Sequence, residues 1–226
     1  MKLTIAGKLW LLAGGTILGV TLFNVGLLVS ERSMILDERQ SSVRQTVETA
    51  YGILAHYQNL AAKGAVSEDD AKRRALEMIK DLRYSETEYF WINDMQPRMV
   101  MHPIKPDLDG KDLAETKDPT GKRLFVEFVE TVKAKGAGLV FYMWPKPGSQ
   151  EPVQKVSYVK GFAPWGWIVG SGVYVDTVDA TFWGRMGTAT VIGLLFSGVL
   201  LAACIWLGRS ITRQLGGDPT YAAEVA

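Results

Sequence analysis

Two stretches without any charged residue dominate the pattern of hydrophobic and polar positions along the chain. They cover residues 9–29 and 186–207. Because a helix rises about 1.5 Å per residue, each stretch is long enough to cross the roughly 30 Å hydrocarbon core of a membrane. The pattern therefore predicts two transmembrane helices. A cleaved signal peptide is the alternative for the first, but no small-x-small cleavage site precedes Glu31 and Arg32.

Basic residues flank both stretches on the sides that face the chain termini. Lys2 and Lys8 precede the first stretch, and Arg209 and Arg213 follow the second. Because segments rich in Lys and Arg remain in the cytoplasm, residues 1–8 and 208–226 are predicted to be cytoplasmic. Residues 30–185 are then predicted to form a domain outside the membrane.

Apolar residues beyond the first stretch recur after one step of seven and then at alternating steps of four and three, which is the heptad pattern of a long helix. Such a helix can pack on a sheet of its own domain or against a second copy of the chain, and opposite faces allow both. The apolar seam consists of Leu36, Val43, Val47, Ala50, Leu54, Tyr57 and Ala61.

The remaining elements of the middle segment are short. A second helix is predicted from a capping box at Ser67 and Asp70 to about residue 82, and a third over residues 122–135. Alternating or β-branched runs predict strands at residues 89–93, 99–102, 139–144, 153–161 and 168–175. Five antiparallel strands with helices on one side predict an α+β domain.

The first two strands form a predicted hairpin with two different faces. Alternation places Tyr89, Trp91 and Asn93 on one face and Phe90 and Ile92 on the other. The first face carries polar tips and suits the floor of a small polar ligand site. The same aromatic residues can also simply fill a core, and alternation alone does not separate the two interpretations.

Composition and charge exclude several classes of function. A net charge of +1 leaves no basic face for nucleic acid. The only cysteine, Cys204, lies in the second apolar stretch, so no disulfide is predicted in residues 30–185. The acidic loop 103–121 resembles a calcium loop only in part, because it lacks the terminal glutamate of an EF-hand. No metal or cofactor is predicted.

Several segments together resemble a known family. They are Y-F-W-I-N-D (89–94), M-V-M-H-P (99–103), F-Y-M-W-P-K-P-G (141–148), K-V-S-Y-V-K (155–160) and W-G-W-I-V-G-S-G-V-Y-V-D (165–176). In order and spacing they are similar to the single Cache sensor domain of bacterial methyl-accepting chemotaxis proteins, of the second single Cache type. The tail R-Q-L-G-G-D-P-T-Y-A-A-E (213–224) resembles the opening of a HAMP linker. Whether the sequence is a fragment or a natural short form is left open.

The resemblance implies a PAS-like antiparallel sheet with a long amino-terminal helix and a periplasmic pocket between the sheet and its covering loops. It implies a two-pass protein of the bacterial inner membrane that binds a small carboxylate, such as a C2–C4 acid, and forms a homodimer. Contact with a chemotaxis kinase or adaptor would require a cytoplasmic module that follows the HAMP linker.

The residues of the middle segment are compatible with an anion site. A buried carboxylate needs cations and neutral donors, because burying a charge without partners is costly. Lys155 and Arg83 are the candidate cations. Tyr158 has the opposite strand parity to Lys155, so one of the two faces away unless a bulge intervenes. The candidate donors and walls are Tyr89, Trp91, His102, Tyr142, Trp144 and Tyr158.

Other functions are also compatible with the sequence. The same domain can belong to a histidine kinase or recognise a periplasmic protein. An exported enzyme with His102 as a base is a further hypothesis, but no nucleophile motif accompanies it and His56 lies on the long helix. The predicted protein is therefore a sensor and not an enzyme.

Overall fold

A computed structural model describes residues 5–84 and 88–214 of the chain. The chain divides into two units, one formed by residues 34–178 and the other by the segments before and after it. Residues 215–226 of the predicted HAMP opening and the first four residues of the predicted cytoplasmic terminus lie outside the described residues.

Four α-helices, six strands and two short 3-10 helices (Pro106–Leu108 and Ala163–Trp165) are the regular elements of the described chain. The helices are α1 (Ile5–Ala62), α2 (Glu68–Asp81), α3 (Leu124–Lys135) and α4 (Val175–Gln214). The strands are β1 (Arg83–Tyr84), β2 (Glu88–Asp94), β3 (Met99–Met101), β4 (Ala137–Pro145), β5 (Pro152–Phe162) and β6 (Trp167–Tyr174).

All strand pairs are antiparallel, in the order β1-β2-β6-β5-β4, with β3 paired to β2. The five predicted strands are confirmed, and the two-residue β1 adds a sixth. The predicted hairpin is the β2–β3 pair. Its turn is held by Asp94, whose Oδ1 accepts hydrogen bonds from the backbone N–H groups of Gln96 and Arg98, both at 2.9 Å.

One face of the sheet is covered by α1 and α2. The seam of α1 buries Val43, Val47 and Leu54 in a cluster that also contains Phe90 and Ile92 of β2. The prediction that this seam packs on the sheet is therefore confirmed. Helix α2 begins at the predicted cap, where Ser67 Oγ accepts a hydrogen bond from the Asp70 N–H at 3.2 Å.

The opposite face is covered by α3, which corrects the expectation that all helices lie on one side. Helix α3 packs Leu124 and Phe128 against Tyr89 and Trp91 of β2. The physical reason lies in the central strands, whose two faces are both apolar or aromatic. Such a sheet must be covered on both sides to remove its surface from water.

One described segment has the length and composition of a membrane span. It runs over Phe182–Ser210 within α4 and contains the predicted second span, residues 186–207. Residues 9–29 lie within the helical range of α1, and their role as a first span stays a prediction.

Candidate functional site

A cavity lies between the sheet and the amino-terminal half of α3. Its water-accessible volume is about 10 Å³. A cavity of this volume holds about one water molecule, so a ligand of several non-hydrogen atoms enters only when the lining side chains move. The lining residues come from β2, β4, α3 and the segment after β3, and they are Tyr89, Trp91, His102, Leu124, Phe125, Phe128, Tyr142 and Trp144.

Lys155 of β5 is completely buried beside this cavity. Its Nζ lies 4.2 Å from the centre of the Tyr89 ring, 4.5 Å from that of Tyr174 and 5.7 Å from that of Trp91. The faces of these rings are electronegative and offset part of the cost of burying an ammonium group. The offset is incomplete, because burial still lowers the pKa of Lys155, an effect that the charge of Glu88 opposes.

The N–H donors of the Lys155 ammonium group are not all satisfied by the described residues. Tyr174 Oη lies 3.4 Å from Nζ, which is long for a hydrogen bond. Within residues 5–84 and 88–214, no carboxylate lies within 4.0 Å of Nζ. An ammonium group carries three N–H donors, so a small anion beside Tyr89 can satisfy donors that the described residues leave available.

His102 is held as a neutral donor. Its Nδ1 accepts hydrogen bonds from the N–H groups of Ile104 at 3.2 Å and Lys105 at 3.0 Å. Burial lowers the pKa of His102 to about 3, with smaller contributions from Lys155 and Lys105. Because a neutral imidazole carries one proton and Nδ1 is an acceptor, Nε2 is the donor.

The tyrosines of the site are neutral donors as well. Trp144 Nε1 donates to Tyr89 Oη at 3.1 Å, and Tyr142 Oη shares a hydrogen bond with Ser157 Oγ at 2.9 Å. Burial raises the pKa of Tyr89 to about 12 and that of Tyr142 well above its ordinary value. The site thus combines one buried cation with neutral phenol, indole and imidazole groups.

Six of the eight predicted site residues come together, and two do not. Tyr158 lies on the opposite face of β5, in the cluster beneath α1, where the Arg44 guanidinium is 5.9 Å from its ring centre. No bulge interrupts β5 between Lys155 and Tyr158, so the parity argument excludes Tyr158 from the cavity. Tyr158 therefore lies outside this cavity, in the core beneath α1.

Arg83 is also displaced from the predicted site. Its side chain is exposed, and Nη1 donates to the carbonyl oxygens of Lys80 and Leu82, both at 2.7 Å. A cation that satisfies the last carbonyls of a helix stabilises the helix end. Arg83 therefore caps α2 and is not among the residues that line the cavity.

The sequence interpretation missed two polar residues beside the site. Tyr174 is the partner of Lys155 in the β5–β6 register, so a correct pairing of the two strands would have found it. Glu88 is buried at the start of β2, and its Oε2 has no hydrogen-bond partner in the part of the chain that the structure describes. Burial raises the pKa of Glu88, and Lys155 opposes this effect. The sequence signal that could have identified Glu88 is a lone acidic residue directly before the aromatic run of β2.

The fold and this site define a small-molecule sensor domain. The family model "Single Cache domain 2" matches residues 35–186. The chain therefore belongs to the Single Cache domain 2 family, and these residues form a Cache sensor domain of the chemoreceptor type.

Two curated relatives give the context of the whole chain. It is 39% identical to "Methyl-accepting chemotaxis protein McpP" of Pseudomonas putida, over 95% of this chain and 39% of that protein. It is 32% identical to "Sensor histidine kinase MctS" of Rhizobium johnstonii, over 56% of this chain and 27% of that protein. The chain thus spans well under half of the length of these relatives.

Two solved structures resemble the domain closely. One, described as "Periplasmic sensor domain of chemotaxis protein", is 57% identical with a TM-score of 0.61, covering 62% of this chain and 97% of that one. The other, described as "Structural basis for carboxylic acid recognition by a Cache chemosensory domain", is 52% identical with a TM-score of 0.61, covering 63% and 97%. The α+β, PAS-like fold is thereby confirmed.

Proposed function

We propose that the chain is the sensor region of a chemoreceptor that binds a C2–C4 carboxylic acid in the cavity beneath α3. One observation carries the proposal: Lys155 is a completely buried cation without a carboxylate partner within 4.0 Å among the described residues, and it adjoins a cavity lined by aromatic and neutral polar side chains. Glu88 acts on Lys155 from beyond 4.0 Å and offsets only part of the cost of burying it, so an anionic ligand in contact with Lys155 lowers that cost further.

The remaining groups fit a single carboxylate. Lys155 supplies the positive charge, while the neutral His102 Nε2–H and the Tyr89 hydroxyl supply directed hydrogen bonds. Phe125 and Phe128 of α3 form an apolar wall for a short hydrocarbon tail. The related domain described as recognising carboxylic acids supports the same class of ligand.

The proposed topology follows from the sequence and its relatives. Residues 9–29 and 186–207 are proposed to be the two membrane spans, with 1–8 and 208–226 cytoplasmic and 30–185 periplasmic, in the bacterial inner membrane. Residues 208–226 begin a HAMP linker in this proposal. A homodimer would use the side of α1 that faces away from the sheet, because the opposite side is buried on it.

The ligand signal is proposed to leave the cavity through Tyr174. This residue lies beside Lys155, its Oη donates to the carbonyl oxygen of Pro145 at 2.9 Å, and α4 begins at the next residue. Lys146 forms an ion pair with Asp176 in the first turn of α4. A ligand that draws Lys155 away from Tyr174 would therefore disturb contacts that fix the start of α4.

A histidine kinase remains the second candidate for the output, because the relative from Rhizobium johnstonii is a sensor histidine kinase. The same ligand site would serve either output. The enzyme hypothesis receives no support from His102, since a histidine with a pKa near 3 is a poor general base at neutral pH.

A thermal-shift screen of the whole 226-residue chain in detergent tests the proposal. The screen compares short carboxylic acids with amino acids, amides and purines. A ligand at about 100 times its dissociation constant adds roughly 2.7 kcal/mol of stability, so C2–C4 acids are expected to raise the unfolding temperature clearly. Stabilisation by another class alone, or by none, would contradict the acid site.

Acid affinity and ligand-free stability are expected to respond to pH in opposite directions. Because burial lowers the pKa of Lys155 in the folded protein, the unfolded chain binds more protons between that lowered pKa and the ordinary value of about 10.5. Ligand-free stability should therefore rise with pH in this window. Acid affinity should fall in the same window, because the neutral amine no longer attracts a carboxylate.

Calorimetric titration with propionate and thermal unfolding, both from about pH 7 to pH 9, check these slopes. The range ends below the ordinary tyrosine pKa of about 10, because burial raises the pKa of Tyr89 and Tyr142 and their titration changes stability with the opposite sign. Glu88, whose pKa burial raises, changes stability with the opposite sign as the pH rises from about 4.5, so the comparison is made above neutral pH. Two slopes of the same sign would contradict the role given to Lys155.

A further inference from the structure

Near its carboxyl end, helix α3 packs directly on the backbone of strands β4 and β5. A Cβ atom added to Gly161 of β5 would lie 2.5 Å from Val132 Cγ1 and 3.5 Å from the carbonyl oxygen of Gly136. A Cβ atom added to Gly138 of β4 would lie 2.6 Å from Thr131 Cγ2. Carbon atoms in contact are normally about 3.5–4.0 Å apart, so a larger residue at these positions requires either that the Val132 or Thr131 side chain turns or that α3 shifts. Because a valine in a helix strongly prefers one rotamer, a shift of α3 is the expected response at Gly161.

The same helix forms one wall of the cavity near its amino end. Leu124, Phe125 and Phe128 line the cavity, while Thr131 and Val132 make the two close contacts with the strands. A helix of 12 residues is about 18 Å long and moves largely as a rigid body. The distance of its carboxyl end from the sheet therefore affects the space beneath its amino end.

The segment that enters α3 is fixed to the sheet as well. Asp118 is buried, and its Oδ2 accepts a hydrogen bond from the N–H of Met143 on β4 at 2.9 Å. Its Oδ1 accepts hydrogen bonds from the N–H groups of Thr120 at 2.9 Å and Lys122 at 3.0 Å. These bonds hold the start of α3 beside Tyr142 and Trp144, which also line the cavity.

We propose that Gly138 and Gly161 are positioning residues that set the largest acid the cavity accepts. They let α3 approach the sheet until its aromatic side chains limit the space above Tyr89 and Trp91. The proposal rests on the proposed function, since it concerns the size limit of the same acid site. A larger distance between α3 and the sheet would admit longer hydrocarbon tails without changing the groups that hold the carboxylate.

Calorimetric titrations of the whole chain with acetate, propionate, butyrate and pentanoate test the size limit. One methylene too many for a pocket costs about tenfold or more in affinity. In the unmodified protein, affinity is therefore expected to drop by at least about tenfold once the tail exceeds the limit. Gly161→Ala should reduce the ratio of propionate to pentanoate affinity by about tenfold.

A compensating change separates positioning from simple loss of stability. Val132→Ala removes the Cγ1 atom that a Cβ atom at position 161 would meet, so the double variant Gly161→Ala with Val132→Ala is expected to recover the original ratio. Gly138→Ala with Thr131→Ser gives an independent pair, because serine lacks the Cγ2 atom in conflict. Gly52→Ala on α1 is the control, since a Cβ atom there has nothing within 4 Å.

The outcomes are distinct. A changed ratio in Gly161→Ala that the compensating change restores supports the proposal. An equal loss of affinity for all four acids, or a double variant that does not recover the ratio, overturns the size limit and leaves the acid site standing. An unmodified protein that binds none of the acids overturns the proposed function and the size limit together.

Discussion

Lys155→Met is expected to weaken the binding of small carboxylic acids by at least about 100-fold, which corresponds to roughly 2.7 kcal/mol. Lys155 is the buried cation beside the cavity, and removing one partner of a buried charged pair costs about 2–5 kcal/mol. The neutral donors His102 and Tyr89 cannot supply the lost charge. A bound carboxylate would then be buried without a counter-charge, which is costly.

The double variant Lys155→Met with Glu88→Gln should leave the ligand-free protein at least as stable as the original, because replacing both members of a buried charged pair removes their desolvation cost, whereas Lys155→Met alone leaves Glu88 buried without the positive charge that acts on it. Loss of binding together with an unchanged or raised unfolding temperature therefore separates a binding role from a folding defect. Calorimetric titration with propionate and thermal unfolding measure the two effects on the same sample.

Two control variants remove a positive charge elsewhere in the domain. Arg83→Ala removes the cation that the sequence suggested but that caps α2, and Lys133→Met removes an exposed lysine of α3. Both are expected to leave acid affinity within about twofold of the original, since exposed charges interact weakly through water. Arg83→Ala with an effect as large as that of Lys155→Met would contradict the site described for this cavity.

Strand alternation predicted the two faces of the sheet correctly. The period of two placed Tyr89 and Trp91 opposite Phe90 and Ile92, and these pairs lie in the two separate cores. The same rule predicted that the side chains of Lys155 and Tyr158 lie on opposite faces of β5. Local periodicity is reliable here because it depends only on the geometry of the extended backbone.

The sequence could not show which face a helix covers or where a long side chain ends. Helix α3 has an apolar stripe that fits either face of a sheet whose two sides are both apolar, so its placement depends on chain connection and packing. Arg83 lies one strand from Tyr89 in register, yet its guanidinium turns to the carbonyl groups of α2. Such choices follow from hydrogen bonds between distant segments, which no local pattern records.

Gly172→Ala is expected to destabilise the domain by about 3 kcal/mol or more, at the upper end of the range for overpacking a core. A Cβ atom at this position would lie 2.0 Å from Ser157 Oγ and 2.6 Å from the carbonyl oxygen of Val156 on the neighbouring strand. The second contact is with backbone, so it cannot be relieved by a side-chain rotation. For a domain of about 150 residues the unfolding temperature should fall by roughly 6–12 °C.

Gly170→Ala is the matched comparison on the same strand. Its Cβ atom would meet ring atoms of Trp91 at 2.4–2.9 Å, and a side chain can turn away where a backbone carbonyl cannot. Gly170→Ala should therefore lower stability less than Gly172→Ala, while moving Trp91 into the cavity and weakening acid binding.

The decisive variant adds Ser157→Ala to Gly172→Ala. It removes the Oγ contact but keeps the conflict with the Val156 carbonyl oxygen, so little stability should return in thermal unfolding. Full recovery of the unfolding temperature would show that the contact with Ser157 Oγ alone caused the loss of stability. Ser157→Ala alone is the reference, because it also removes the hydrogen bond with Tyr142. If the double variant stays well below this reference, β5 and β6 must separate. Because Lys155 pairs with Tyr174 two residues further along the same two strands, acid binding should then be lost with the fold of the site.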